Sequence, residues 1–125
     1  MFYSNNFLQL GAIFMALAVA FGAFGAHIVE GLLTPDRFEV YQTAVQYHFY
    51  HALGLLIIGA VSFHISNKWM KWSGYSMVFG ILIFSGSLYL LTLLDIGWLG
   101  AVTPIGGFAF ILAWVFLLIG VLKNP

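Results

Sequence analysis

Four long stretches of this chain contain no Asp, Glu, Lys or Arg: residues 7–26, 44–65, 73–94 and 99–122. An α-helix needs roughly 20 apolar residues to cross roughly 30 Å of hydrocarbon, and each stretch is long enough. The eight charged residues are Glu30, Asp36, Arg37, Glu39, Lys68, Lys71, Asp95 and Lys123, and all fall between or after the stretches. A charge at the bilayer centre costs at least about 2.5 kcal/mol, so this partition points to a membrane chain. The runs are continuously apolar, whereas a barrel strand alternates polar and apolar over roughly 10 residues. The fold class is therefore all-α: an integral membrane four-helix bundle, with all 125 residues forming one four-span domain.

Composition excludes the alternatives. Charged residues make up 6% of the chain and hydrophobic residues 62%, whereas soluble domains carry about 25% charged residues. That excludes an ordinary soluble enzyme, a disordered tail and a nucleic-acid binder, which would need a basic face. The chain has no cysteine and a formal net charge of zero. It offers no disulfide framework or thiolate nucleophile, and it implies no acidic partner. Ala23 and Gly25 give the first stretch some likeness to a signal-peptide cleavage site. No Lys or Arg precedes the apolar run, so the stretch is read as a retained helix.

Short-loop Lys and Arg set orientation. With both termini on one side, Lys68, Lys71 and Lys123 lie there and Arg37 lies opposite. Both termini are therefore expected in the cytoplasm. Trp69 and Trp72 on one side and Trp98 on the other fall where aromatic belts form. Thr34-Pro35-Asp36 reads as a helix start: an N-cap threonine, a first-turn proline and an acid at the positive end of the dipole. A helix is expected to begin there, outside the membrane, and run into the second span.

The packing surfaces are small-residue surfaces. Gly11, Met15, Ala18, Gly22 and Gly25 follow alternating steps of four and three, one stripe at coiled-coil spacing. Gly22, Gly25, Ala26, Gly86, Gly106 and Gly107 are the expected helix-packing positions, most simply within one bundle. Self-association or a membrane-protein partner would use the same kind of surface.

Polar residues inside the spans are few. One face of the second helix carries Tyr41, Ala44, His48, His51 and Leu55, with Tyr47 and Tyr50 alongside. His51 lies roughly 10 Å below the outer boundary, and Ser85 of the third span lies at a similar depth. His27, Ser87, Tyr89 and Thr103 are assigned to the same layer. The candidate polar pocket is thus His27, Tyr47, His48, His51, Ser85, Ser87, Tyr89 and Thr103. Such groups must find partners in hydrocarbon or lose several kcal/mol. They either glue helices together or line a functional pocket.

Specific chemistries fare poorly. His48 and His51 lack the helical His-Glu-x-x-His spacing, and no cysteine is available, so no metal site is expected. Nothing selects for haem, and no cofactor is expected. No span holds an acid, so a proton relay, a serine nucleophile with an orienting acid, and a charged transport substrate all lack a necessary group. Pro104 is read as a first-turn proline of a helix starting at Thr103, not as a kink.

Four motifs carry a family resemblance. They are Gly22-Ala23-Phe24-Gly25-Ala26-His27, the run from Tyr41 to Leu53, Phe84-Ser85-Gly86-Ser87-Leu88-Tyr89, and the run from Gly100 to Gly107. In this order the chain resembles the small bacterial membrane proteins of unknown function typified by YgdD and YwdK, with relatives among small eukaryotic transmembrane proteins. Ile28 departs from the glycine that the first motif favours. The resemblance implies a multi-pass protein of the bacterial cytoplasmic membrane, and it supplies no catalytic residue. The leading expectation is a non-enzymatic bundle whose outer-half pocket binds a small neutral or lipidic ligand, or a partner helix. The rivals are a small oligomeric channel or transporter, and a cofactor-bearing redox subunit.

Overall fold

The structure, a computed structural model, describes residues 2–125. Four antiparallel helices account for it: α1 (Tyr3–Glu30), α2 (Pro35–Val61), α3 (Lys68–Leu94) and α4 (Gly97–Leu122). No strand occurs among the described residues. The helices have 28, 27, 27 and 26 residues, so each is roughly 40 Å long and outreaches a hydrocarbon core of roughly 30 Å. The helices take in Glu30, Asp36, Arg37, Glu39, Lys68 and Lys71, while Asp95 and Lys123 lie just past helix ends.

The ends are set by local chemistry. Thr34 caps α2, its hydroxyl accepting from the Arg37 amide at 3.3 Å, with Pro35 and Asp36 in the first turn. α2 runs unbroken from Pro35 to Val61, and near its start Arg37 bridges to Asp95 at 3.0 Å and donates to the Leu91 carbonyl at 3.3 Å. Asp95 terminates α3 with a left-handed backbone, φ 57°, a conformation that Asp tolerates better than most residues. At the other end α2 stops at Val61, short of residue 65. Asn67 then starts α3 early, accepting from the Trp69 and Met70 amides at 3.1 and 3.2 Å. Its side-chain amide donates to the Gly120 carbonyl at 3.0 Å, fastening α3 to the end of α4. α4 opens as a 3-10 turn, Gly97–Ala101, and becomes α-helical at Thr103, so Pro104 sits in the first α-turn without a mid-helix kink.

Packing follows chain order: α1 lies on α2, α2 on α3 and α3 on α4. The small-residue stripe of α1 faces α2. A Cβ on Gly11 would come within 2.8 Å of Leu56, one on Gly22 within 3.0 Å of Val45, and one on Gly25 would overlap the Tyr41 hydroxyl. Ala18 is buried and Ala26 half-buried on the same helix. α4 meets α3 most closely at Gly106, where a Cβ would overlap the Phe84 backbone. Gly107 stands 3.6 Å from the Phe84 ring, an ordinary contact.

Gly86 is not a packing glycine, because nothing lies within 4 Å of its Cβ position. Successive helical residues are rotated by about 100°. Ser85 points to α2 and Ser87 to α4, so Gly86 between them points away from both neighbours.

The half near Lys68 and the termini is filled by Phe7, Leu55, Ile58, Met70, Met77 and Ala113. The half near Asp95 has a smaller apolar cluster of Ala44, Leu88, Leu91 and Leu99, and it holds most of the polar side chains. Both interruptions of regular α-helix fall there: π-turns at Ala20–Gly25 in α1 and Ile81–Ser85 in α3. A π-turn disturbs the i→i+4 ladder and frees carbonyls. The Tyr41 hydroxyl donates to the Phe21 carbonyl at 2.6 Å, and the Ser87 hydroxyl to the Phe84 carbonyl at 2.9 Å.

Candidate functional site

His48 is 2% exposed and sits where α1, α2 and α3 meet. Its Nδ1 lies 2.8 Å from the Tyr89 hydroxyl. Phe14 and Phe21 of α1 flank the ring at centroid distances of 6.2 and 6.4 Å. Tyr41 packs on Tyr89 at 5.6 Å, so α1 and α3 are joined through an aromatic cluster presented by α2. The Phe14 carbonyl also borders the imidazole, yet Nε2 makes no hydrogen bond of good geometry among the described residues.

One turn further along α2, His51 meets different partners. Its Nδ1 is 2.7 Å from the Tyr47 carbonyl, and its Nε2 accepts from the Trp114 indole at 3.1 Å. A carbonyl only accepts and an indole N–H only donates, so the partners select the neutral ring protonated at Nδ1. The imidazole stacks on Phe110 at 3.5 Å and 11°. Both ring nitrogens are therefore occupied within the protein.

The hydroxyls act as bonds between helices. Ser85 donates to the Ala44 carbonyl of α2 at 2.8 Å. With its own proton given to the Phe84 carbonyl, Ser87 accepts from the Thr103 hydroxyl at 2.6 Å. These bonds span the α3–α4 contact beside Gly106.

The eight candidate residues thus line no single pocket. His48 and Tyr89 form one buried pair, and Ser85, Ser87 and Thr103 form interhelical bonds. Tyr47 and His51 face an open groove between α2 and α4. His27 is exposed near the Asp95 end of α1, apart from the rest. It lies two residues past Gly25, about 200° around the helix from the stripe that meets α2. Among the described residues, no three His, Asp or Glu side chains come together to hold a metal ion.

The groove has a volume of about 540 Å³, and its walls include Tyr47, His51, Phe84, Gly107, Phe110 and Trp114. Sequence reasoning missed Phe110 and Trp114. A usable signal was present: Trp114 falls well inside a span, and an indole N–H in hydrocarbon needs an acceptor. A second groove, about 320 Å³, runs between α1 and α2 and is lined by Gly22, Ala26, Tyr41, Gln42, Val45 and Gln46.

The family described as protein of unknown function (DUF423) matches residues 21–107. The chain belongs to the DUF423 family. Among similar proteins, UPF0382 membrane protein SERP0230 of Staphylococcus epidermidis is 47% identical over 117 residues, covering 94% of this chain and 95% of that one. UPF0382 membrane protein YwdK of Bacillus subtilis is 45% identical over 118 residues, covering 94% and 96%. UPF0382 membrane protein SH2409 of Staphylococcus haemolyticus is 46% identical over 117 residues, covering 94% and 95%. No solved structure matches. The second π-turn, all of the first but Ala20, the His48–Tyr89 pair and the Gly106–Phe84 contact lie within the DUF423 segment, whereas Phe110 and Trp114 lie beyond it. This DUF423 chain is a multi-pass membrane protein of a family with no assigned function.

Proposed function

We propose that this protein is a non-enzymatic component of the bacterial cytoplasmic membrane, with both termini in the cytoplasm, whose α2–α4 groove holds the acyl chain of a lipid. One observation carries the reading. The groove reaches into the bundle as far as His51, yet both nitrogens of His51 are taken by Tyr47 and Trp114. Aromatic and aliphatic surface is what the groove offers an occupant, and it opens where lipid tails lie. Leaving lipid for the groove brings no hydrophobic gain, because both surroundings are apolar. Preference for an occupant then comes from dispersion contact with Tyr47, Phe84, Phe110 and Trp114. The absence of any acid within the charge-free spans supports the non-enzymatic reading, because it leaves the serines and histidines without an orienting carboxylate. Lys68, Lys71 and Lys123 at the end with the termini, against Arg37 at the other, support the orientation.

Native mass spectrometry of the protein released from membranes in mild detergent tests the groove. Wild type is expected to retain one lipid per protein. Gly107→Leu fills the groove and is expected to lose that lipid with the bundle intact by circular dichroism. Equal retention by both proteins, or no bound lipid in wild type, refutes the proposal.

A further inference from the structure

The side of α2 turned away from its own bundle carries polar groups. Gln42, Gln46 and Tyr50 are all exposed, and spacing by four places them along one line of the helix. Glu39 is the last charged residue of α2. Counted from residue 44, where the charge-free run begins, Gln46 lies roughly 3 Å and Tyr50 roughly 9 Å inside the hydrocarbon at 1.5 Å per residue. The Gln46 amide donates to the Tyr50 hydroxyl at 2.8 Å. That bond uses one N–H of Gln46, and its carbonyl oxygen and second N–H have no partner among the described residues. Lipid tails provide none, and leaving such groups unpaired in hydrocarbon is strongly unfavourable.

The α1–α2 groove runs directly beside this stripe, with Gly22 and Ala26 on the α1 wall and Gln42, Val45 and Gln46 on the α2 wall. Small residues that permit close approach and carboxamides that bond across it are the two ingredients of helix association within membranes. The α2–α4 groove lacks the second of them. No charged side chain lines the α1–α2 groove, so it calls for no counter-charged partner.

We infer that the Gln42–Gln46–Tyr50 stripe and its groove form the interface between two copies of this chain. A carboxamide carries both a donor and an acceptor. About a two-fold axis, each surface meets itself. Gln46 then faces the same residue of the second copy, and the two amides exchange reciprocal hydrogen bonds. An identical chain thereby supplies the groups that lipid cannot.

The chain contains no cysteine, so a single Asn124→Cys near the C-terminus carries a donor or acceptor dye without competing sites. Energy transfer in phosphatidylcholine vesicles, measured as lipid dilutes the protein, reports association of the full chain. The parent is expected to associate, Gln46→Leu to weaken association at least tenfold, and Ala26→Leu, which fills the groove, to do the same. Gly107→Leu, on the other side of α2, is expected to leave it unchanged. Thermal unfolding of each variant checks that the bundle is intact. A parent monomeric at every dilution, or Gln46→Leu and Ala26→Leu both associating as the parent does, overturns the inference. The lipid-retention measurement reads the other groove, so either proposal can fail without the other.

Discussion

Trp114 of α4 donates its indole N–H to Nε2 of His51 on α2, 3.1 Å away, and so decides which nitrogen of that histidine carries the proton. The same two helices also meet where the His51 ring stacks on Phe110 at 3.5 Å. The bond closes the bundle across the floor of the α2–α4 groove.

Removing that donor leaves a ring nitrogen without its partner. Trp114→Phe keeps aromatic bulk and is expected to destabilise the bundle by about 1–2 kcal/mol, within the range for an unsatisfied buried polar group. Combined with His51→Phe, the loss should be less than the sum of the two single losses, because one bond is counted in both. Unfolding in detergent by a chemical denaturant reads these differences, and strict additivity would deny the bond an energetic role.

Three glycines near the α3–α4 contact should respond differently to alanine. Gly106→Ala drives a methyl group into the Phe84 backbone and is expected to cost about 1–3 kcal/mol, as overpacking does. Gly107→Ala meets the Phe84 ring at an ordinary distance, and Gly86→Ala meets nothing within 4 Å. Both should lie within about 0.5 kcal/mol of the parent, as open-site substitutions do. Thermal melting of the three proteins ranks them directly.

The π-turn of α1 and the Tyr41 hydroxyl hold one another. Tyr41→Phe removes the 2.6 Å bond to the Phe21 carbonyl and should cost about 1–3 kcal/mol through the unsatisfied acceptor. Gly25→Ala should also destabilise, since its Cβ would overlap the Tyr41 hydroxyl. In the Tyr41→Phe background the same alanine should cost less, because the obstructing oxygen is gone. A cycle of four melting curves measures the coupling, and a coupling of zero would separate the turn from the tyrosine.

Orientation is open to a direct test in cells. Asn124→Cys should react with a membrane-impermeant maleimide only after the cytoplasmic membrane is permeabilised. Gly97→Cys, in the turn between α3 and α4, should react in intact spheroplasts. The reverse pattern would invert the topology drawn from three lysines against one arginine.

Both expectations about His27 and Gly86 failed for the same physical reason. Depth along a helix follows from counting residues. Direction around the helix turns by about 100° per residue, and the direction of the neighbouring helix is absent from the local pattern. His27 and Gly86 fall on sides that face no neighbour. The stripe from Gly11 to Gly25 was legible because five positions repeat one direction.

The sequence alone determined the number of membrane-length helices and their apolar material, because excluding charge from hydrocarbon acts on each residue independently of its neighbours. It also determined the Thr34 cap and the first-turn setting of Pro104, which depend on contacts within a few residues. The tertiary structure decided the pairing of the polar groups: His48 with Tyr89, His51 with Trp114, and Ser87 with Thr103. Each pair joins different helices, so it depends on how those helices are rotated against one another. That rotation is set by close contacts such as Gly106 against Phe84 and by the two π-turns, neither of which has a period that can be read along the chain.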